Sequence, residues 1–90
     1  MTKALVTVTG KDSVGIIAGV SGTLRDMKIN ILDITQTILG GYFTMMMIVD
    51  LTDASASFVE VDESLQTLAK SLGMSIQLQR MDIFDAMHRI

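Results

Sequence analysis

Between Lys3 and Thr9 apolar residues alternate at Ala4, Val6 and Val8 in a run rich in β-branched side chains, which predicts a first strand. The period then lengthens. Ile17, Val20, Leu24 and Met27 recur at spacings of three, four and three, one stripe along a helix that should end near Lys28. Asn30 to Leu39 returns to strand composition, Gly40-Gly41 interrupts it, and Tyr42 to Leu51 continues as another strand. Two adjacent glycines between β-like runs predict a hairpin, because both residues can take positive φ. The third strand is apolar on both alternations. Phe43, Met45, Met47 and Val49 form one face, and Tyr42, Met46 and Ile48 form the other. That pattern predicts a central strand whose second face is covered by a partner subunit or by the chain's own tail.

Asp53 to Ser57 forms a polar connector, and Ser57-x-x-Glu60 then fits a capping box. Phe58, Val61, Leu65, Leu68 and Leu72 supply a second helical stripe, and Gly73 marks its end. Met74 to Arg80 alternates strictly, as expected of a one-sided strand near a sheet edge. Beyond it, Ile83, Met87 and Ile90 have helical spacing, with Phe84 beside them and Asp82 as a cap. A short terminal helix is expected there, laid on protein, either its own chain or a neighbouring subunit. The order β-α-β-β-α-β predicts an α+β, ferredoxin-like sandwich, an antiparallel four-stranded sheet with both helices on one face. Residues 1–80 form the domain, and residues 81–90 form a helical tail belonging to it.

Composition narrows the function. The 90 residues suffice for one small core. A hydrophobic fraction of 49% argues against disorder, while eight methionines and only 4% aromatics leave packing to aliphatic and thioether groups. A chain this small and this apolar is expected to cover part of its surface with another subunit. The net charge of −3 removes the basic patch that nucleic acid or an anionic membrane would require. Without cysteine there is no disulfide, no thiolate nucleophile and no Cys-ligated metal. No apolar run approaches the roughly 20 residues of a membrane span, so a cytoplasmic protein is expected.

The candidate chemistry lies in Thr9-Gly10-Lys11-Asp12-Ser13-Val14-Gly15-Ile16-Ile17, between the first strand and the first helix. A glycine turn at a helix start leaves N–H groups unpaired, and these with the helix dipole favour a carboxylate. Donors near Val14 to Ile16 suit the carboxylate of a free amino acid, and Asp12 or the Asn30 side-chain carbonyl suits its ammonium. A plain alternative reading is a tight connection with Asp12 or Ser13 capping the helix. Gly15, Gly19 and Gly22 weaken that helix but allow close approach by another backbone. Enzyme chemistry finds little support. His88 is the one histidine and lies in the tail, and no phosphate cradle, metal set or nucleophile spacing appears, so no cofactor is implied. Acylphosphatases share the topology but use an arginine where this turn offers only Lys11. An RNA-binding module needs stacking aromatics in a basic setting, whereas Tyr42 and Phe43 fall on opposite faces.

The stretch Val6-Thr7-Val8-Thr9-Gly10-Lys11-Asp12-Ser13-Val14-Gly15-Ile16-Ile17, a helix, and then Ile29-Asn30-Ile31-Leu32-Asp33-Ile34 resemble an ACT domain over about residues 3 to 80. The tail from Asp82 to Ile90 resembles that of a stand-alone, single-ACT prokaryotic family of uncharacterised function. The resemblance implies regulation by an amino-acid effector and no catalysis. It implies side-by-side dimers, or higher homo-oligomers, with the effector between the first βα turn of one subunit and the start of strand two of another. Carried over by position, Asp12 meets the effector's ammonium or side chain, Gly15 allows close approach, and Asn30 closes the pocket from the neighbour. Ser13, Val14, Ile16 and Ile31 complete the expected ligand-binding set. Val14 stands where the family commonly has proline, and Lys28 where a glycine often ends helix one. The second reading is an interaction or transcription-regulatory module that binds a regulatory protein partner and no small molecule. Likeness to a glycine-cleavage transcriptional repressor, itself built from ACT domains, keeps that role open.

Overall fold

The computed structural model describes residues 2–81, which form β1 (Lys3–Lys11), α1 (Ile16–Asp26), β2 (Asn30–Leu39), β3 (Tyr42–Asp50), α2 (Phe58–Leu72) and β4 (Ser75–Arg80). The strands make one antiparallel sheet in the order β2-β3-β1-β4. Strand β3 is central, as its double-sided apolar pattern predicts. It pairs along its whole length with β1, from Lys3 opposite Asp50 to Lys11 opposite Tyr42. One face of the sheet buries Ala4, Val6, Val8, Phe43, Met45, Met47, Val49 and Ile76. Ile16, Val20 and Leu24 of α1 and Val61, Leu65 and Ala69 of α2 close over the same face. The architecture is the ferredoxin-like βαββαβ sandwich.

Local chemistry explains most element ends. At the hairpin, Gly40 and Gly41 take φ of 60° and 83°, the positive values a tight β-turn needs. Helix α2 starts in a complete capping box and stops at Gly73. Two expectations shift. The buried stripe of α1 begins at Ile16, 2% exposed, and not at Ile17, 41% exposed. The helix starts one residue earlier than the apolar spacing implies, and the next residue lies about 100° farther round its axis. The helix also ends at Asp26, where the Met27 N–H donates to the Leu24 carbonyl at 3.1 Å. Lys28 then takes φ 58°, the left-handed conformation a glycine adopts more cheaply.

The second face of β3 leaves Tyr42 and Met46 exposed and Ile48 half-buried. The expected tail helix lies outside the described residues. Among those residues, no helix is long and apolar enough to cross a membrane.

Candidate functional site

The turn after β1 closes on Gly15, which takes φ 90° and ψ 3° and caps α1 through its backbone alone. Its carbonyl accepts the first bond of the helix, from the Gly19 N–H at 2.9 Å. The N–H groups of Ile16, Ile17 and Ala18 precede that bond and so have no intrahelical acceptor. No side chain caps them. The expected cap by Asp12 or Ser13 is thus not formed. These residues sit three and two positions before the helix cap, and the turn carries them elsewhere. The Asp12 N–H donates to the Gly41 carbonyl at 2.9 Å and ties the turn to the β2–β3 hairpin.

That tie holds the start of α1 beside the far end of β2. Between them runs a groove of about 260 Å³, lined by Asp12, Ser13, Gly15 and Ile16 with Ile17 and Ala18 on the helix side. Gln36, Ile38 and Phe43 line it on the sheet side. Four expected site residues therefore come together: Asp12, Ser13, Gly15 and Ile16. Val14 is fully exposed and is not part of the lining. Asn30 and Ile31 lie at the opposite end of β2, paired with Asp50 and Val49, while Ile38 and Leu39 pair with Phe43 and Tyr42. Within one chain the two halves of the expected site do not meet. Gln36 and Ile38 were missed from sequence, although a two-residue hairpin at Gly40-Gly41 already sets Ile38 opposite Phe43.

The second feature of the site is β2 itself. All ten of its residues are exposed, including Ile31, Leu32, Ile34, Ile38 and Leu39. The strand is a sheet edge, with its ladder shifted between Ile31 and Asp33. Neither helix hides its apolar side chains. An edge strand of this length and hydrophobicity is a template for pairing with another chain. The other edge, β4, differs: Ile76 is buried, and Ser75, Gln77 and Gln79 are polar and exposed.

The perturbed carboxyls lie away from the groove. The Thr52 hydroxyl, donating at 2.6 Å, and the Thr52 N–H hold the Asp50 carboxyl below the usual carboxylate range. The Ser57 N–H, and then the Ser57 hydroxyl, do the same for Glu60. Among the described residues no cluster of His, Cys, Asp and Glu could hold a metal ion, and no buried side-chain polar atom lacks a partner. His88 lies outside those residues.

Residues 2–79 match the family model of the ACT domain. A UPF0237 protein from Clostridium acetobutylicum is 54% identical over 88 residues, which are 98% of this chain and 99% of that protein. The structure of an ACT domain protein from Streptococcus pneumoniae is similar with TM-score 0.81 at 41% identity, covering 92% of this chain and 93% of that one. At 24% identity, the regulatory subunit of aspartate kinase from Thermus thermophilus, in a ligand-free form, shares the fold with TM-score 0.67. The match covers 87% of this chain and 50% of that one. By domain model and by relatives of equal extent, the chain belongs to the ACT domain family, with the UPF0237 proteins among its kin.

Proposed function

We propose that the protein is a small cytoplasmic regulatory module that binds an amino acid, or a similar small ligand, at a homodimer interface and so signals metabolic state. One observation carries the proposal: the uncapped start of α1 and the exposed apolar strand β2 are two walls of one groove. The N–H groups of Ile16, Ile17 and Ala18 suit a carboxylate, reinforced by the helix dipole. The Asp12 carboxylate suits an ammonium, and Ile38 and Phe43 suit an apolar side chain. Among the described lining residues Asp12 is the one carboxylate, so the groove offers no acid–base pair for a reaction.

Dimerisation through β2 would complete the site. If the ten-residue strand pairs antiparallel with its own copy end to end, the partner subunit's Asn30 falls opposite Leu39. The partner subunit's Ile31 then falls opposite Ile38, beside the groove. The partner's Asn30 side-chain carbonyl would then join Asp12 around the ammonium.

A thermal-shift screen of the twenty amino acids tests this. A ligand at 100 times its dissociation constant should stabilise the fold by about 2.7 kcal/mol, and Asp12→Ala and Asn30→Ala should each abolish the gain. Stabilisation that survives both substitutions would move the site elsewhere. If no amino acid stabilises the protein, the module that binds a protein partner alone becomes the better account, and the bare β2 edge is the surface that favours it. A monomer at micromolar concentration by light scattering would contradict the homodimer.

A further inference from the structure

The two edges of the sheet are finished differently. Strand β1 settles which groups β4 turns outward. The Leu51 N–H donates to the Thr2 carbonyl at 2.7 Å, so Thr2 and Leu51 are a bonded pair just beyond Lys3 and Asp50. Bonded pairs alternate with unbonded ones along an antiparallel ladder. Ala4, Val6 and Val8 therefore bond to β3, and the backbone of Leu5, Thr7 and Thr9 turns toward β4. Their partners on β4 are Gln79, Gln77 and Ser75. The N–H and C=O groups of Ile76 and Leu78 are left pointing away from the sheet, where they form a template for one more strand.

One of these groups is already taken. Gln66, on α2, donates from Nε2 to the Ile76 carbonyl at 2.8 Å. The same nitrogen donates at 3.2 Å to the Asp62 carboxylate, one turn back on the helix, so both of its N–H bonds are used. The amide N–H of an arriving strand would sit about 2.9 Å from that carbonyl, in the place Gln66 fills.

On the other edge the same alternation turns Ile34, Gln36 and Ile38 of β2 outward, because Asp33, Thr35, Thr37 and Leu39 face the β3 residues that do not bond β1. The side chain bonded there is Asp33, on the Ile34 N–H at 2.8 Å. That bond joins neighbours on an exposed strand, and one side-chain rotation removes it. The Gln66 bond crosses from a packed helix, and Asp62 holds it in place.

We propose that the outer side of β4 is a second pairing edge for another copy of this chain, held shut by the Gln66 amide, so that assembly ends at two copies. Two such strands would meet antiparallel, with Leu78 opposite the partner subunit's Leu78 and Ile76 opposite the partner subunit's Arg80. Outward groups then meet outward groups. With both edges open, copies joined through β2 would join again through β4 and extend without closure. The limit of two rests on the β2 pairing proposed above; the closing of β4 stands without it.

Gln66→Ala removes the amide and keeps a good helix former at an exposed position. In sedimentation velocity the unaltered chain should run as two copies, and the variant as four or more. The Ile76 and Leu78 amides of the variant should become protected from hydrogen exchange as its mass rises. A variant that circular dichroism shows to be folded, and that keeps the mass of the unaltered chain, overturns the proposal. So does a heavier variant whose Ile76 and Leu78 amides exchange as before. An unaltered chain already larger than two copies, with those amides protected, overturns it too. If the unaltered chain runs as a monomer, the β2 pairing fails and the limit of two with it. A variant dimer protected at Ile76 and Leu78 then still shows that Gln66 held β4 shut. Should Gln66→Ala not fold, Gln66→Met, which keeps the side chain's length without a donor, is judged by the same masses and amides.

Discussion

Helices α1 and α2 both enter the core through a buried aliphatic residue in the first turn, Ile16 and Val61, but the backbone ahead of each is finished differently. At α2 the Ser57 hydroxyl accepts from the Glu60 N–H at 3.2 Å, and the Glu60 carboxylate accepts from the Ser57 N–H at 3.0 Å. At α1 a left-handed glycine does the turning, and no side chain takes the donors that follow. The start of α2 is closed by its own side chains. The start of α1 gives up a cap and keeps its donors facing a groove. Residue choice at two or three positions separates a side-chain-capped end from an open one, while burial behind them is alike.

The largest effect should come from the shared anchor. Ile16→Ala should cost about 2–5 kcal/mol in urea unfolding, as for other buried aliphatic truncations. A negligible loss would break the comparison, because the open donors would then belong to a loose helix end. Next, Gly15→Ala forces a side chain into a left-handed position and should cost about 1–2 kcal/mol. The matching change at α2, Ser57→Gly, should cost only a few tenths of a kcal/mol. Third, Ser57→Ala should lose about 1 kcal/mol, whereas Ser13→Ala should stay within about 0.5 kcal/mol, since Ser13 caps nothing. Equal losses at the two serines would show that both ends are capped in solution.

The smallest effect is in pH. Because the Glu60 carboxyl is held below the usual range by the Ser57 N–H, its contribution is fully present above the unfolded value of about 4.3. It is lost as pH falls through the folded value. Asp50 behaves in the same sense, through Thr52. Acid titration of stability followed by circular dichroism should therefore show a loss below about pH 4 that is smaller in Glu60→Gln, which has no carboxyl to protonate. An identical acid limb in both proteins would remove the capping box from the account.

Much of this was legible in the sequence because it rests on local rules. The alternation in β1, the Gly40-Gly41 hairpin, the Ser57-x-x-Glu60 box and the stop at Gly73 each follow from a few adjacent residues, and all appear in the structure. The ferredoxin-like order followed from them. What escaped was set by tertiary contact. Ile16 and not Ile17 meets the core, because Gly15 starts the helix one residue earlier than the apolar spacing implies. Gly19, read as room for another backbone, faces α2, where an added Cβ would sit 3.3 Å from the Leu68 side chain. The groove was half visible. Asp12, Ser13, Gly15 and Ile16 lie within five positions of the chain, whereas Gln36 and Ile38 come beside them through the pairing of β2, β3 and β1, with the Asp12 N–H bonded to the Gly41 carbonyl. Asn30 and Ile31 stand apart from the groove in a single chain because they begin the strand that Ile38 and Leu39 end.

The most direct test of the open helix start is an amide NMR titration of the protein with the amino acids that stabilise it most. Binding as proposed moves the Ile16, Ile17 and Ala18 amide resonances first and furthest, together with that of Ile38, and leaves those of Val59, Glu60 and Val61 at the capped helix in place. Resonances at Ile16 to Ala18 that stay fixed under all twenty amino acids, or that move no more than those at Val59 to Val61, would contradict it.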